Sequence, residues 1–236
     1  MGLCQAFIRG SDLHCKKLMV EIVPTILTSD FNDFTEKITL VREVVPRVQI
    51  DVVDGKFAPK KTIPLEGMRE LADMKDLRLD LHLMVEKPED WINRGLELLP
   101  DRIIGHIEMM SDPKDFMRRT IEGGVEVGLA LDLETPVEAI ADEIYHSADL
   151  ILVLGVKAGI GGQEFDRKAL KKIEKISHIV GNLVKIGVDG GLNDKNIPFC
   201  KSSGAEIFYV GGAFWEAKDL NYRYNELLEL VKRGGV

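Results

Sequence analysis

Residues 47–57 read RVQIDVVDGKF. The β-rich run Arg47–Val52 leads into Val53-Asp54-Gly55, the punctuation of a strand giving way to a loop. Before it, Phe31, Phe34, Ile38, Val41 and Val45 recur at three and four residues, which is one helix face, and Ser29 or Asp30 can cap that helix. A first run lies earlier still, at Glu21–Val23. The same alternation continues downstream through Leu77–Met84, Arg102–Ile107, Val125–Leu131, Leu150–Leu154, Leu183–Val188 and Glu206–Val210. Asp112-Pro113 and Thr135-Pro136-Val137-Glu138 each carry a capping residue followed by a proline suited to a first helical turn, and Glu138 can close a capping box. Leu170, Ile173 and Ile176 mark another buried helix face. Eight strands alternating with eight helices predict an all-parallel sheet. An open doubly wound sheet and a closed barrel both fit that pattern. Eight repeats in 236 residues favour closure, so the expected fold is a single (β/α)8 (TIM) barrel over residues 19–236. Residues 1–18 are read as an N-terminal extension outside the barrel that need not be ordered.

Composition narrows the function classes. The chain is 45% hydrophobic and 30% charged, enough for a sizeable core, and no run approaches the roughly 18 apolar residues of a membrane span. A formal net charge of −8 argues against nucleic acid or anionic lipid as partner. An anionic ligand would need local donors working against that background. Cys4, Cys15 and Cys200 are scattered and odd in number, which fits reduced thiols and a cytoplasmic location rather than a disulfide framework. A small molecule and further copies of the chain, as a homo-oligomer, are the partners expected.

In a barrel of this type, function sits where strands end and loops begin. Three glycine clusters follow the sixth, seventh and eighth strands: Gly159-Ile160-Gly161-Gly162, Gly190-Gly191 and Gly211-Gly212. Glycine lets backbone N–H groups approach a ligand closely, and successive N–H groups cradle anions. Any single cluster is equally well only a turn. Three at one barrel end point to a phosphate. Two acids, Asp51 and Asp189, close the second and seventh strands, with His82 at the end of the third. A buried carboxylate is costly unless paired or bound to metal, so two around one cavity suggest acid–base work or metal ligation. Helix capping and loop hydrogen bonding are the plainer readings of each acid taken alone.

These residues carry a family resemblance. PTILTSDF (24–31), QIDVVDGKFAP (49–59), LDLHLMVEKPEDWI (79–92), AGIGGQEF (158–165), VDGG (188–191) and VGGAFW (210–215) resemble ribulose-phosphate 3-epimerases from about Val20 to Trp215. The resemblance implies inversion at C3 of a ketose phosphate, D-ribulose 5-phosphate to D-xylulose 5-phosphate in the pentose phosphate pathway. One base removes the proton, an enediolate forms, and an acid on the opposite face returns a proton. It implies Asp51 and Asp189 as that pair, and Asp51, His82 and Asp189 with one further histidine as ligands of a divalent metal (zinc, iron, manganese or magnesium). It further implies that Thr25 and His82 touch substrate and that the three glycine clusters hold the phosphate. An aspartate, with an unperturbed pKa near 3.9, is a weak base for a carbon acid, so an electrophile such as a metal is chemically apt.

The chain departs from the family pattern at several positions. Gln49 stands where the family has its other histidine ligand, and a glutamine oxygen is a harder, neutral donor. Three readings follow: a harder or weaker metal site, a metal-free site in which Gln49 and His82 donate hydrogen bonds to the enediolate, or a barrel that binds sugar phosphate without catalysis. The family's methionines map to Val53, Met84 and Leu154, of which only Met84 is kept. Lys157-Ala158 replaces Asn-Pro, and Gly211-Gly212 replaces Gly-Ser. Together these leave room for another pentulose or hexulose phosphate. Lys157, at the end of the sixth strand, offers a Schiff-base alternative. The Asp-x-Lys-x-x-Asp strand end of related decarboxylases and synthases ranks low as an alternative, because Asp51-Val52-Val53-Asp54 has no lysine.

Overall fold

A computed structural model of the chain describes residues 20–71, 74 and 76–232, so the extension proposed for 1–18 lies outside the described residues. Eight parallel strands close a barrel in sequence order. They are β1 (Glu21–Ile26), β2 (Arg47–Val53), β3 (Arg78–Met84), β4 (Arg102–His106), β5 (Glu126–Leu131), β6 (Leu150–Leu154), β7 (Lys185–Asp189) and β8 (Ile207–Val210). Helices lie outside: α1 (Phe31–Val41), α2 (Leu65–Leu71), α3 (Ile92–Leu96), α4 (Pro113–Glu122), α5 (Asp142–Tyr145), α6 (Lys168–Val180), α7 (Ile197–Ser202), α8 (Gly212–Trp215) and α9 (Leu220–Lys232). Asp30 caps α1 through the N–H groups of Asn32 and Asp33, and Asp112 caps α4 through that of Lys114, as their positions predict.

Two local expectations differ. Pro24, expected to follow the first strand, lies inside β1. Pairing of β1 with β2 begins only at Thr25↔Gln49, so no ladder donor to β2 is lost at the proline. The helix expected from Thr135 is a short 3-10 turn, Val137–Ala139, without a side-chain cap, and the chain re-extends at Ile140 before α5. Tyr145 Oη donates to the Val137 carbonyl at 2.8 Å. That bond, with Val137, Ile140 and Tyr145 all buried, stabilises a packed turn over a regular helix.

Alternation along the strands sorts the core into two layers. Ile22, Val48, Ile50, Leu81, Ile103 and Val127 face the helices, whereas Val23, Val53, Ile104, Leu152, Ile207 and Tyr209 fill the barrel. The interior also holds charge. Asp80, fully buried, accepts hydrogen bonds from Arg47, from Arg102 at 2.9 Å and from Tyr209 Oη at 2.7 Å. Arg47 is additionally paired with Glu21, and Arg102 with Glu126. Asp80, together with Glu21 and Glu126, thus offsets two guanidinium groups that could not otherwise be buried.

Asp80→Asn keeps the shape and removes the charge. It is expected to destabilise the chain by about 3–5 kcal/mol, the cost of stranding a buried partner charge, read as a lower urea midpoint. A midpoint equal to that of the parent would contradict this account.

Candidate active site

Above that charged layer, β2 and β3 turn a second set of polar side chains inward. Gln49 and His82 are fully buried and Asp51 nearly so. The register Asp51↔His82 places these two side by side on neighbouring strands, and His82 Nδ1 lies 2.9 Å from Asp51 Oδ1. Asp189 arrives from β7, three strands away round the ring through β8 and β1. Its Oδ2 lies 3.8 Å from His82 Nδ1. Gln49 Nε2 joins the two acids, donating to Asp51 Oδ1 at 2.9 Å and Asp189 Oδ2 at 2.7 Å. The carboxylates expected to face each other across the mouth therefore meet over one amide.

Asp51, His82 and Asp189 each offer an atom within 4.8 Å of the others, a ligand triad for a cation. Gln49 bears on whether the set fits a metal. Its Oε1 is buried without a partner, at a cost of about 1–3 kcal/mol. Turning the amide over directs this oxygen to where the two acids and His82 Nδ1 converge, an exchange of atoms that X-ray scattering would hardly distinguish. Two carboxylate oxygens, an imidazole nitrogen and an amide oxygen form a mixed, mostly hard donor set. The residues present fit a divalent cation.

The electrostatics agree. Burial, and then the charge of Asp51, push the Asp189 carboxyl up to about 7, against the opposing pull of His82, Gln49 and the Gly190 N–H. Two like charges this close do not both ionise cheaply, so the pair retains a proton unless a cation replaces it.

Two residues behind His82 carried no role in the sequence reading. His106 Nε2, at the end of β4, lies 3.0 Å from His82 Nε2, and the two rings stack. His106 Nδ1 faces Glu108 Oε2 at 3.2 Å. Burial lowers the His106 pKa. Burial would raise that of Glu108, but hydrogen bonds from His106, Thr135 and the Asp132 N–H hold it down to about 2. The available signal was the His-x-Glu spacing, which puts both side chains on one side of a strand end.

The glycine clusters border the same cavity, of about 610 Å³, together with Asp51, His82, Asp189 and Thr25. Gly159, Gly162, Gly190 and Gly191 have φ between 68° and 100°. A Cβ on Gly191 would stand 2.5 Å from the Phe165 nitrogen, and one on Gly159 would collide with Ala58. Gln163 Nε2 staples the loop by donating to the carbonyls of Lys157 and Ile160, both at 2.7 Å. Among the described residues, none accepts a hydrogen bond from the N–H of Gly161, Gly162, Gly191, Gly211 or Gly212. Met84 and Leu154 line the cavity, but Val53 is buried outside it. Lys157 is exposed and absent from the lining, so the structure does not support a Schiff base there. The lining cation is instead Lys37, from α1, held by Asp33 at 2.8 Å.

Comparison with known proteins follows the same line. A profile described as the Ribulose-phosphate 3 epimerase family matches residues 21–215. Ribulose-phosphate 3-epimerase of Bacillus subtilis (strain 168) is 30% identical over 214 residues, covering 89% of this chain and 98% of the relative. That of Methanocaldococcus jannaschii is 30% identical over 215 residues, covering 89% and 91%. Among solved structures, a 3-hexulose-6-phosphate synthase superposes with a TM-score of 0.65 at 18% identity, over 90% of this chain and all of the other. Orotidine 5'-phosphate decarboxylase of Pyrococcus horikoshii OT3 superposes with 0.63 at 13% identity, over 91% and all of the other. At such identities these two report the shared barrel alone. No helix among the described residues is long and apolar enough to cross a membrane.

A cation must displace the proton that Asp189 retains below about pH 7. Zn²⁺ affinity of the purified chain is therefore expected to fall as pH drops through that value, by up to about tenfold per pH unit. Calorimetry in buffers of differing ionisation enthalpy should show proton release. An affinity flat from neutral to mildly acid pH would contradict the shared-proton account.

Proposed function

The chain belongs to the ribulose-phosphate 3-epimerase family, and from that premise we propose that it inverts C3 of D-ribulose 5-phosphate to give D-xylulose 5-phosphate. The observation that carries the reading is the convergence of Asp51 and Asp189 on one cavity whose other wall is built of glycine loops. Inversion by proton exchange needs two groups that reach opposite faces of a planar enediolate. Aspartates delivered by strands three apart meet that need. In the absence of a cation, the raised pKa of Asp189 leaves one proton on the pair, so one member accepts while the other supplies.

Asp51, His82, Asp189 and the turned-over oxygen of Gln49 would hold a divalent cation. When bound, it would supply a Lewis acid that stabilises negative charge developing on the substrate. Met84, Leu154 and Val156 give the cavity an apolar wall that limits water around the enediolate. Thr25 presents its hydroxyl beside Gly211. The phosphate lies against Gly159–Gly162, Gly190–Gly191 and Gly211–Gly212, whose backbone donors offset the acids of the site. Lys37 adds one positive charge at the rim.

In deuterated water the parent chain is expected to wash deuterium into C3 of D-ribulose 5-phosphate as it inverts the centre. Asp51→Asn and Asp189→Asn should each slow inversion by about 10²–10⁴-fold, the usual worth of a general acid or base. If both variants keep parental activity, the two-base assignment is wrong. Exchange confined to a hexulose phosphate in the same assay would move the substrate and keep the chemistry, and affinity without exchange would leave a binding protein. Gly159→Ala, strained at φ 81° and against Ala58, should raise KM for the phosphorylated sugar and lower the melting temperature.

A further inference from the structure

Two of the contacts of Glu108 follow different rules. Its Oε1 accepts from the backbone N–H of Asp132 at 2.8 Å, and its Oε2 faces His106 Nδ1 at 3.2 Å. A carboxylate can only accept, so His106 must carry its proton on Nδ1. Its Nε2 is then bare and accepts across the 3.0 Å gap from His82, which must carry its proton on Nε2. With a single proton on the ring, His82 Nδ1 is left bare, 3.5 Å from Gln49 Nε2 and aimed at Asp51 Oδ1 at 2.9 Å and Asp189 Oδ2 at 3.8 Å. A nitrogen lone pair among carboxylate oxygens is repelled unless a cation lies between them.

We propose that Glu108 and His106 are positioning residues that set the tautomer of His82, presenting its Nδ1 as a ready ligand for a divalent cation. The inference rests on reading Asp51, His82, Asp189 and Gln49 as a cation site. Neither positioning residue lines the cavity, so they act only through His82. Phe57 covers the His106 ring, with centroids 4.6 Å apart, and the ring is fully buried, so no water competes for its nitrogens. Glu108 is tied in turn to the loop after β5. Lys172 donates to the carbonyls of Asp132 and Leu133 there, at 2.5 and 2.8 Å, and fixes the N–H on which Glu108 rests.

The geometry makes Glu108→Gln a sharp test. The Asp132 N–H can only donate, so it takes the amide oxygen of the glutamine. The amide NH₂ then faces His106 Nδ1 and donates to it. His106 must move its proton to Nε2, and His82 must move its own to Nδ1, where it blocks the cation. The variant replaces one carboxylate oxygen with an NH₂ group and keeps the shape, yet inverts every donor and acceptor along the chain of rings.

The experiment uses the full chain labelled with ¹⁵N-histidine, loaded with Zn²⁺ or metal-free, and reads tautomers from long-range ¹⁵N–¹H correlations. Zn²⁺ affinity is measured separately against a competing chelator. In the Zn²⁺-loaded parent chain, His106 is expected to be protonated on Nδ1 and His82 on Nε2. Glu108→Gln should reverse both tautomers in the metal-free chain and weaken Zn²⁺ binding by roughly tenfold to a hundredfold, the usual worth of a group that orients a ligand. If the variant does not fold, the tautomers of the parent chain decide alone. A parent His106 protonated on Nε2 overturns the proposal. So does a variant that binds Zn²⁺ as tightly as the parent, or more weakly with unchanged tautomers. A parent chain that binds no Zn²⁺, Mn²⁺ or Mg²⁺ overturns the cation site itself and the relay with it, an outcome distinct from loss of the relay alone.

Discussion

The interior of this barrel is wired with ionisable groups, and the structure depends on their being paired at every level. Alternation along β2 and β3 sends Arg47, Gln49 and Asp51, and Asp80 and His82, toward the axis. An apolar barrel of the same size would bury its inner face at no electrostatic cost. Here each inward charge is admissible only because a neighbour on the next strand answers it. At the lower level the answer is internal, with Asp80 shared by Arg47, Arg102 and Tyr209. At the upper level it is incomplete. Two acids and one imidazole border a cavity, with the unpartnered oxygen of the Gln49 amide buried beside them, and the balance has to come from a proton or a cation.

That contrast separates stability from chemistry within one set of strands. The lower layer balances its charges among its own side chains, leaving only the Nε atoms of Arg47 and Arg102 without a hydrogen-bond partner. The upper layer is left short of positive charge where a substrate can enter. In the proposed function, the glycine loops on the opposite wall supply backbone donors to an anion, and the acids across from them supply the groups that move its protons. Because phosphate and carboxylates are both negative, the two halves are useful together only with a cation or a retained proton between them.

Much of this was legible in the sequence. Eight β-rich runs, and the helix face at Phe34, Ile38 and Val41, carried the barrel. Asp51, His82, Asp189 and the three glycine clusters were each visible as strand-end residues. What was illegible depended on through-space partners. Pro24 looked like the end of a strand, because its tolerance depends on where β1 begins to pair with β2. The start at Thr135 had good capping chemistry but lost to the packing of Val137, Ile140 and Tyr145. Lys157 looked poised for catalysis, yet its side chain turns to solvent. His106 and Glu108 passed without a role because their importance lies in a 3.0 Å contact between histidines 24 residues apart. Gln49, read as a weakened ligand, is also the bridge that draws the two acids together.

Asp132 has all of its polar groups engaged. Its N–H rests on Glu108, its carboxylate accepts from the Ala158 N–H at 3.1 Å, and its carbonyl accepts from Lys172. Ala158 begins the loop that borders the anion pocket, whereas Glu108 leads to His82. One residue thus splices the gripping loop to the imidazole chain. A shift of Asp132 would move both at once, so the glycine loop and the imidazole chain cannot be repositioned independently.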